Sequence, residues 1–237
     1  MITTRFFQVS GKCHESNIDK CQDQLDIISD SKHTTISLCD GAGSSPYGKI
    51  AAQITSNIIS KNLHDNFEKY SLDDIPNIKR SLTQVIDNNL LKSAKNMKID
   101  PHLLATTILA VSMNNSGDFI AVHLGDGHIL SNIVGKEQLL IISSPQKGYR
   151  SNSTYLTMNC PLFYYIRFYR WKDTDTKRII LLTDGMDYLY KNFQYNTFSL
   201  ENKDNLIQTM LSADSFDDIP SGSPCSSALY NWRSTYF

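Results

Sequence analysis

The stretch Ser37–Ile54, SLCDGAGSSPYGKIAAQI, passes from an apolar run through a glycine-bearing loop into a helical pattern. Upstream, Ser31–Cys39 condenses into the β-branched TTISLC, which reads as a buried strand. Downstream, Ile50, Ile54 and Ile58 recur every four residues with Ala51 and Ile59 beside them, the mark of one buried helical stripe. Asp40 and Gly41 stand at the junction. Asp-Gly is a common turn dipeptide. A carboxylate at the mouth of a buried strand, beside bare glycine backbone, can also hold a cation through its side chain and a neighbouring carbonyl.

Outward from this junction, a second helix is expected over Ile75–Met97, with Ile78, Leu82, Val85 and Leu90 on its inner side and Pro76 in its first turn. From Leu104 the pattern changes to short β-rich runs, LLATTILAVSM, DFIAVHLGD, GHILSNIV and KEQLLIIS, separated by NNSG, GDG and GK. These read as consecutive antiparallel strands joined by tight turns. FYYIRFYRW reads as a strand with one packed face, and RIILLT and SALYNW as later strands, with a short helix or loop through NKDNLIQTMLS. No repeat or linker interrupts the chain, so one domain over 1–237 is expected. The order of elements implies an α+β fold of two antiparallel sheets face to face with helices on their outer faces, a four-layer αββα sandwich.

The 237 residues suffice for one substantial core, and 23 basic against 24 acidic side chains leave a formal charge of -1. That balance excludes a nucleic-acid or polyanion surface as an expectation. The N-terminal MITTRFFQVSGKC lacks a secretory pattern and no run reaches the length of a membrane span, so a cytoplasmic location away from membranes is expected. Five scattered cysteines without CxxC spacing predict reduced thiols, with neither a disulfide framework nor a zinc ribbon.

Three apolar strands end in the same chemistry: SLCDG at Asp40 and Gly41, VHLGDG at Asp126 and Gly127, and ILLTDG at Asp184 and Gly185. Each alone is an ordinary turn. Together they point to a shared carboxylate cluster, which needs a cation to offset its repulsion, and oxygen-only ligands suit Mg2+ or Mn2+. Asp23 in DKCQDQ is a fourth acidic candidate, and His123 and His128 are expected as satisfied or solvent-facing imidazoles.

The ordered set KCHESNIDKCQDQ, CDGAGSSPYGKIAA, LATTILAV, HLGDGHIL and LLTDGMDYLY resembles the metal-dependent protein phosphatases of type 2C, specifically the bacterial branch with the CQD signature. The resemblance runs from about Gly11 to Tyr190 and carries the same sandwich. It implies a serine/threonine phosphatase that uses two Mn2+ or Mg2+ ions, with a third in some members, and a water bridging two ions as nucleophile. By that resemblance Asp40 bridges the ions, the Gly41 carbonyl binds one of them, Asp184 binds the other, Asp23 acts through water, and Asp126 helps a third ion. The implied partners are a phosphoprotein substrate and a cognate protein kinase. Oligomeric state is left open.

The sequence departs from the family in three places. Gln22 replaces the usual Glu of the Glu-Asp pair. Where an aspartate pair normally precedes the last strand, the chain reads GSPCSSALYNW, so Asp217 or Asp218 must serve from a displaced turn, and Asp218 is taken as the ligand. Ile18 stands where many members place a phosphate-binding arginine, leaving His14, Lys12 and Lys20 as substitutes, of which His14 is taken as the substrate-binding residue. Arg150, Asn152 and Thr154 fall in a segment resembling the family's variable flap. A catalytically impaired phosphatase-like binding or regulatory module is therefore an alternative, and a two-metal hydrolase of small phosphoesters is another.

Overall fold

The structure, a computed structural model, describes residues 2–10, 21–133, 139–148, 153–172, 176–186 and 225–233. The strands are β1 (Ile2–Ser10), β2 (Asp23–Ser29), β3 (His33–Asp40), β4 (Ile108–Asn114), β5 (Phe119–Leu124), β6 (His128–Ile133), β7 (Leu139–Ser143), β8 (Arg167–Trp171), β9 (Thr176–Leu182) and β10 (Cys225–Arg233). The described helices are α1 (Gly48–Asp65), α2 (Phe67–Leu72), α3 (Ile75–Met97) and α4 (Leu162–Tyr165). The strands form two five-stranded sheets, ordered β1-β10-β9-β6-β7 and β2-β3-β4-β5-β8, and every strand pair in them is antiparallel. The α+β expectation of two antiparallel sheets with helices is met. Helices α1 to α3 cover the second sheet, and the segment expected to cover the first falls in 187–224, outside the described residues.

Two apolar layers hold these elements. Between the sheets, Ile36, Leu38, Leu109, Val111, Met113, Phe119 and Ala121 meet Ile129, Ile179 and Leu181. Between helices and sheet, Ile59, Leu63, Phe67, Ile78, Leu82, Ile86 and Leu90 pack on Ala110, Ile120, Val122 and Phe168. Strand β3 is covered on both faces and buried along its length, with apolar Ile36 and Leu38 on one face and small Thr35 and Ser37 on the other. Ile36 and Leu38 point to the other sheet, while the Ser37 hydroxyl donates to the Ser56 carbonyl of α1 at 3.0 Å.

That contact corrects the expected stripe on α1. Ile50 is 41% exposed, and the buried face is Gly48, Ala51, Ala52, Thr55, Ser56, Ile59, Ser60 and Leu63. Small side chains let the helix lie close on β2 and β3, where isoleucines would hold it off. On α3 the bounds and Pro76 are as expected, but Ile86 takes the inner place assigned to Val85. The expected run of consecutive paired strands also breaks once: β4 pairs with β5 and β6 with β7, whereas β5 and β6 lie in different sheets. The turn at Gly125–Gly127 is thus a crossing between layers. Within FYYIRFYRW only Arg167–Trp171 is strand, preceded by the short α4. Cys39 and Cys160 are free, whereas Cys21 is disulfide-bonded, against the expectation of reduced thiols. Such a bond depends on which sulfurs the fold brings within about 2 Å, which spacing along the chain does not reveal. No helix among the described residues is long and apolar enough to cross a membrane.

Candidate active site

Strands β2 and β3 pair so that Asp23 lies directly opposite Asp40, at the open end of their hairpin. The backbone around Asp40 is tied on both sides. Its N–H donates to Thr107 Oγ1 at 2.9 Å, and its carbonyl accepts from the Thr107 N–H at 2.9 Å and from Thr106 Oγ1 at 2.8 Å. Thr106 and Thr107, within the quoted LATTILAV, were not singled out from sequence; their hydroxyls are the signal that a strand start will grip a neighbour.

The loop after Asp40 is packed against the start of α1. A Cβ on Gly41 would lie 2.3 Å from the Gly48 carbonyl carbon, and one on Gly48 would lie 2.6 Å from Gln22 Oε1. Both positions need glycine for close backbone approach. Gln22 is fixed here as well. Its side-chain N–H donates to the Ser45 carbonyl at 3.5 Å, while its buried Oε1 has no hydrogen-bond partner.

Asp126 arrives on the crossing between sheets. Gly125 has φ of 111°, and a Cβ there would strike Thr107 Cγ2 at 2.6 Å. A Cβ on Gly127 would lie 2.6 Å from the Leu182 carbonyl, so the crossing presses against the end of β9, just before Asp184. His123 secures the crossing from below: it is fully buried, with Nε2 3.0 Å from the Gly125 carbonyl and Nδ1 2.8 Å from Arg167 Nη2 and 2.7 Å from Ser143 Oγ. Since guanidinium only donates, Nδ1 accepts and Nε2–H donates to Gly125. Burial, then the Arg167 charge, hold the His123 pKa well below the ordinary imidazole value. It is the satisfied imidazole expected from sequence.

Asp184 opens a short 3-10 turn after β9 and is exposed, whereas Asp23 is 1% exposed. Thr183 Oγ1 donates to Asp23 Oδ2 at 3.2 Å, joining the two sheets at this end. The four acidic residues converge here. Burial raises the Asp40 carboxyl well above the usual carboxylate range, followed by the charges of Asp23 and Asp184, a hydrogen bond with Asp23 and the charge of Asp126. Two carboxyls sharing a hydrogen bond must share a proton unless a cation replaces it. An all-oxygen donor set with that much self-repulsion fits a hard divalent cation. The Cys39 thiol beside it is fully buried and pushed well above its ordinary value by that burial, which removes it as a nucleophile. His14, Asp217 and Asp218, together with Arg150 and Asn152, lie outside the described residues.

Residues 10–216 match the protein phosphatase 2C family. The chain belongs to that family. Among solved structures, a bacterial serine phosphatase is 14% identical over 100% of both chains with a TM-score of 0.66. The serine/threonine phosphatase Stp1 from Staphylococcus aureus is 12% identical over 99% of this chain and 96% of its own, with a TM-score of 0.61. RsbX, solved in complex with magnesium, is 13% identical over 98% of this chain and 96% of its own, with a TM-score of 0.52. At these identities the likeness is one of fold. No curated protein matches the sequence. In the protein phosphatase 2C setting, the conjunction of Asp23, Asp40, Asp126 and Asp184 at one end of the sandwich occupies elements from both sheets and from the crossing between them.

Proposed function

We propose that this chain is a protein serine/threonine phosphatase of the bacterial branch, acting on phosphoserine and phosphothreonine with two Mn2+ or Mg2+ ions. The observation that carries the reading is the convergence of four carboxylates, with Asp40 raised well above the usual range by burial and by the other three. Asp40 would bridge the ions, with the Gly41 carbonyl and Asp184 as further ligands, Asp23 acting through water and Asp126 at a third, weaker site. When bound, the ions offset charge on the phosphoryl oxygens and acidify the attacking water. The chain's own part is to hold the ligands still. Thr106 and Thr107 clamp the Asp40 backbone, Thr183 holds Asp23, and the Gly41–Gly48 contact sets the loop. Asp218 would complete the ligand set and His14 would meet the phosphoryl group. The partners that follow are a phosphoprotein and the kinase that modifies it.

The deciding experiment is hydrolysis of a phosphothreonine peptide with and without metal. The rate should require Mn2+ or Mg2+, vanish with EDTA and return on replenishment, and Asp40→Asn or Asp184→Asn should remove it along with metal affinity. A rate that survives chelation refutes the two-metal reading. Background turnover in saturating Mn2+, with the peptide still bound, would instead make the chain a silent phosphatase-like module.

A further inference from the structure

At the opposite end of the β2–β3 hairpin, Asp30 and His33 flank the turn, and the C-terminal turn of α1 brings His64 against them. Strand β2 has 7 residues, which at ~3.3 Å each puts this group about 23 Å from Asp23 and Asp40. One ligand atom from each of the three residues lies within 4.8 Å of the others. We propose that Asp30, His33 and His64 bind a late first-row divalent cation, Zn2+ in the first place, at a site separate from the carboxylate cluster.

His33 carries the argument. It is 8% exposed, stacked on Phe67 at 5.1 Å, and its Nδ1 is buried without a hydrogen-bond partner. Its other nitrogen, Nε2, lies 2.9 Å from the His64 carbonyl. A carbonyl only accepts, so the proton sits on Nε2 and the lone pair on Nδ1, which faces Asp30 Oδ1 at 3.7 Å. His64 is also engaged at its outer nitrogen, there by a hydroxyl that both donates and accepts. Its Nδ1 is 3.2 Å from Thr35 Oγ1, itself held by Ser112 Oγ at 2.7 Å, and its Nε2 faces Asp30 Oδ2 at 3.5 Å. Metal-binding histidines are oriented in this way, with the outer nitrogen engaged and the inner one left for the metal.

The distances fit a cation better than they fit direct pairing. At 3.5 and 3.7 Å the histidine–carboxylate separations exceed a good hydrogen bond. A tetrahedral ion with bonds of ~2.0–2.1 Å sets its ligand atoms about 3.4 Å apart. Asp30 is pre-set for the task, since its Oδ1 accepts from the backbone N–H groups of Lys32 at 2.7 Å and His33 at 2.9 Å. Two imidazoles and one carboxylate select zinc-like ions over Mg2+ or Ca2+, which prefer oxygen. The exposed side of Asp30 leaves the fourth position to water. A cation here also meets the negative end of the α1 dipole, and it would pin the hairpin turn to that helix.

The test uses the full chain, stripped of metal and then held in excess Mg2+ to fill oxygen-only sites. Zn2+ titration should show one further equivalent, and Co2+ in its place should give the intense visible bands of a tetrahedral nitrogen-containing site. His64→Gln and Asp30→Asn, the latter at the exposed side of the group, should each weaken Zn2+ binding at least tenfold. Thr35→Val, which leaves all three ligand side chains in place and removes the hydroxyl that His64 Nδ1 and Ser112 Oγ share, should weaken it roughly tenfold and keeps the test decisive if a ligand variant fails to fold. No Zn2+ equivalent beyond the carboxylate cluster, an octahedral Co2+ spectrum, or affinity unchanged in His64→Gln would overturn the proposal. None of these readouts depends on phosphatase activity.

Discussion

Gly41→Ala tests the loop that positions Asp40. A Cβ at that position would lie 2.3 Å from the Gly48 carbonyl carbon, 2.4 Å from its oxygen and 2.9 Å from the Lys49 nitrogen, all of them backbone. Carbon contacts become comfortable at about 3.5 Å, so the loop and the first turn of α1 must part by roughly 1.2 Å. No side-chain rotation relieves this, and overpacking of the kind costs about 1–3 kcal/mol. For a chain of this length that lowers the melting temperature by roughly 2–12 °C. The displaced group is the Gly41 carbonyl beside Asp40, and a shift near 1 Å in a positioned site costs about 100-fold in rate. The assay pairs thermal melting with Mn2+-dependent hydrolysis of a phosphothreonine peptide. Gly48→Ala attacks the same contact from the helix side, where a Cβ would lie 2.6 Å from Gln22 Oε1 and 2.7 Å from the Ala42 carbonyl oxygen, and should give the same phenotype. Gly43→Ala is the control, because a Cβ there meets nothing within 4 Å. If Gly41→Ala melts and turns over like the wild type, or Gly43→Ala does as much damage, the close-approach reasoning fails.

Asp40→Asn should abolish metal-dependent turnover yet stabilise the metal-free protein at neutral pH. With its folded pKa raised, Asp40 stays protonated when the unfolded chain has lost its proton. Its contribution is therefore fully present below the ordinary carboxylate pKa and is lost as pH rises to the folded value. Melting in EDTA across pH should show that decline in the wild type and a flatter profile in Asp40→Asn; parallel profiles would count against the cluster. His123 has the opposite sign, since its lowered folded pKa gives stability that is present above the ordinary imidazole pKa and lost as pH falls toward the folded one. His123→Leu should remove that acid-side loss while costing about 0.5–1.5 kcal/mol at neutral pH for each hydrogen bond lost, since the Gly125 carbonyl keeps the Gln146 N–H and Arg167 keeps the Ser144 carbonyl, read by urea unfolding. Leu82→Ala, in the helix–sheet layer, should cost about 2–5 kcal/mol with Mn2+ affinity unchanged, which calorimetry checks.

By itself the sequence determined the local elements and the chemistry at their ends. TTISLC followed by a glycine loop and a helical period specified β3, the loop and α1, because side-chain periodicity reports directly which faces meet apolar surroundings. The three Asp-Gly strand ends marked Asp40, Asp126 and Asp184, since unlike strand interiors they carried a shared functional group. What tertiary structure alone decided is non-local. Asp23, a candidate from the DKCQDQ motif, is brought to the group by its register opposite Asp40, and the GDG segment became a crossing because β5 and β6 joined different sheets. Ile50 turned outward because α1 packs through its small residues, a choice made by the distance to β3 and not by hydrophobicity along the helix. Asp30 and His33 sit three positions apart, but His64 reaches them only because α1 runs the length of the sheet and ends over the hairpin turn. Pattern within a segment fixes its own buried face; the contacts between segments depend on how those faces fit together, and no window of sequence contains that fit.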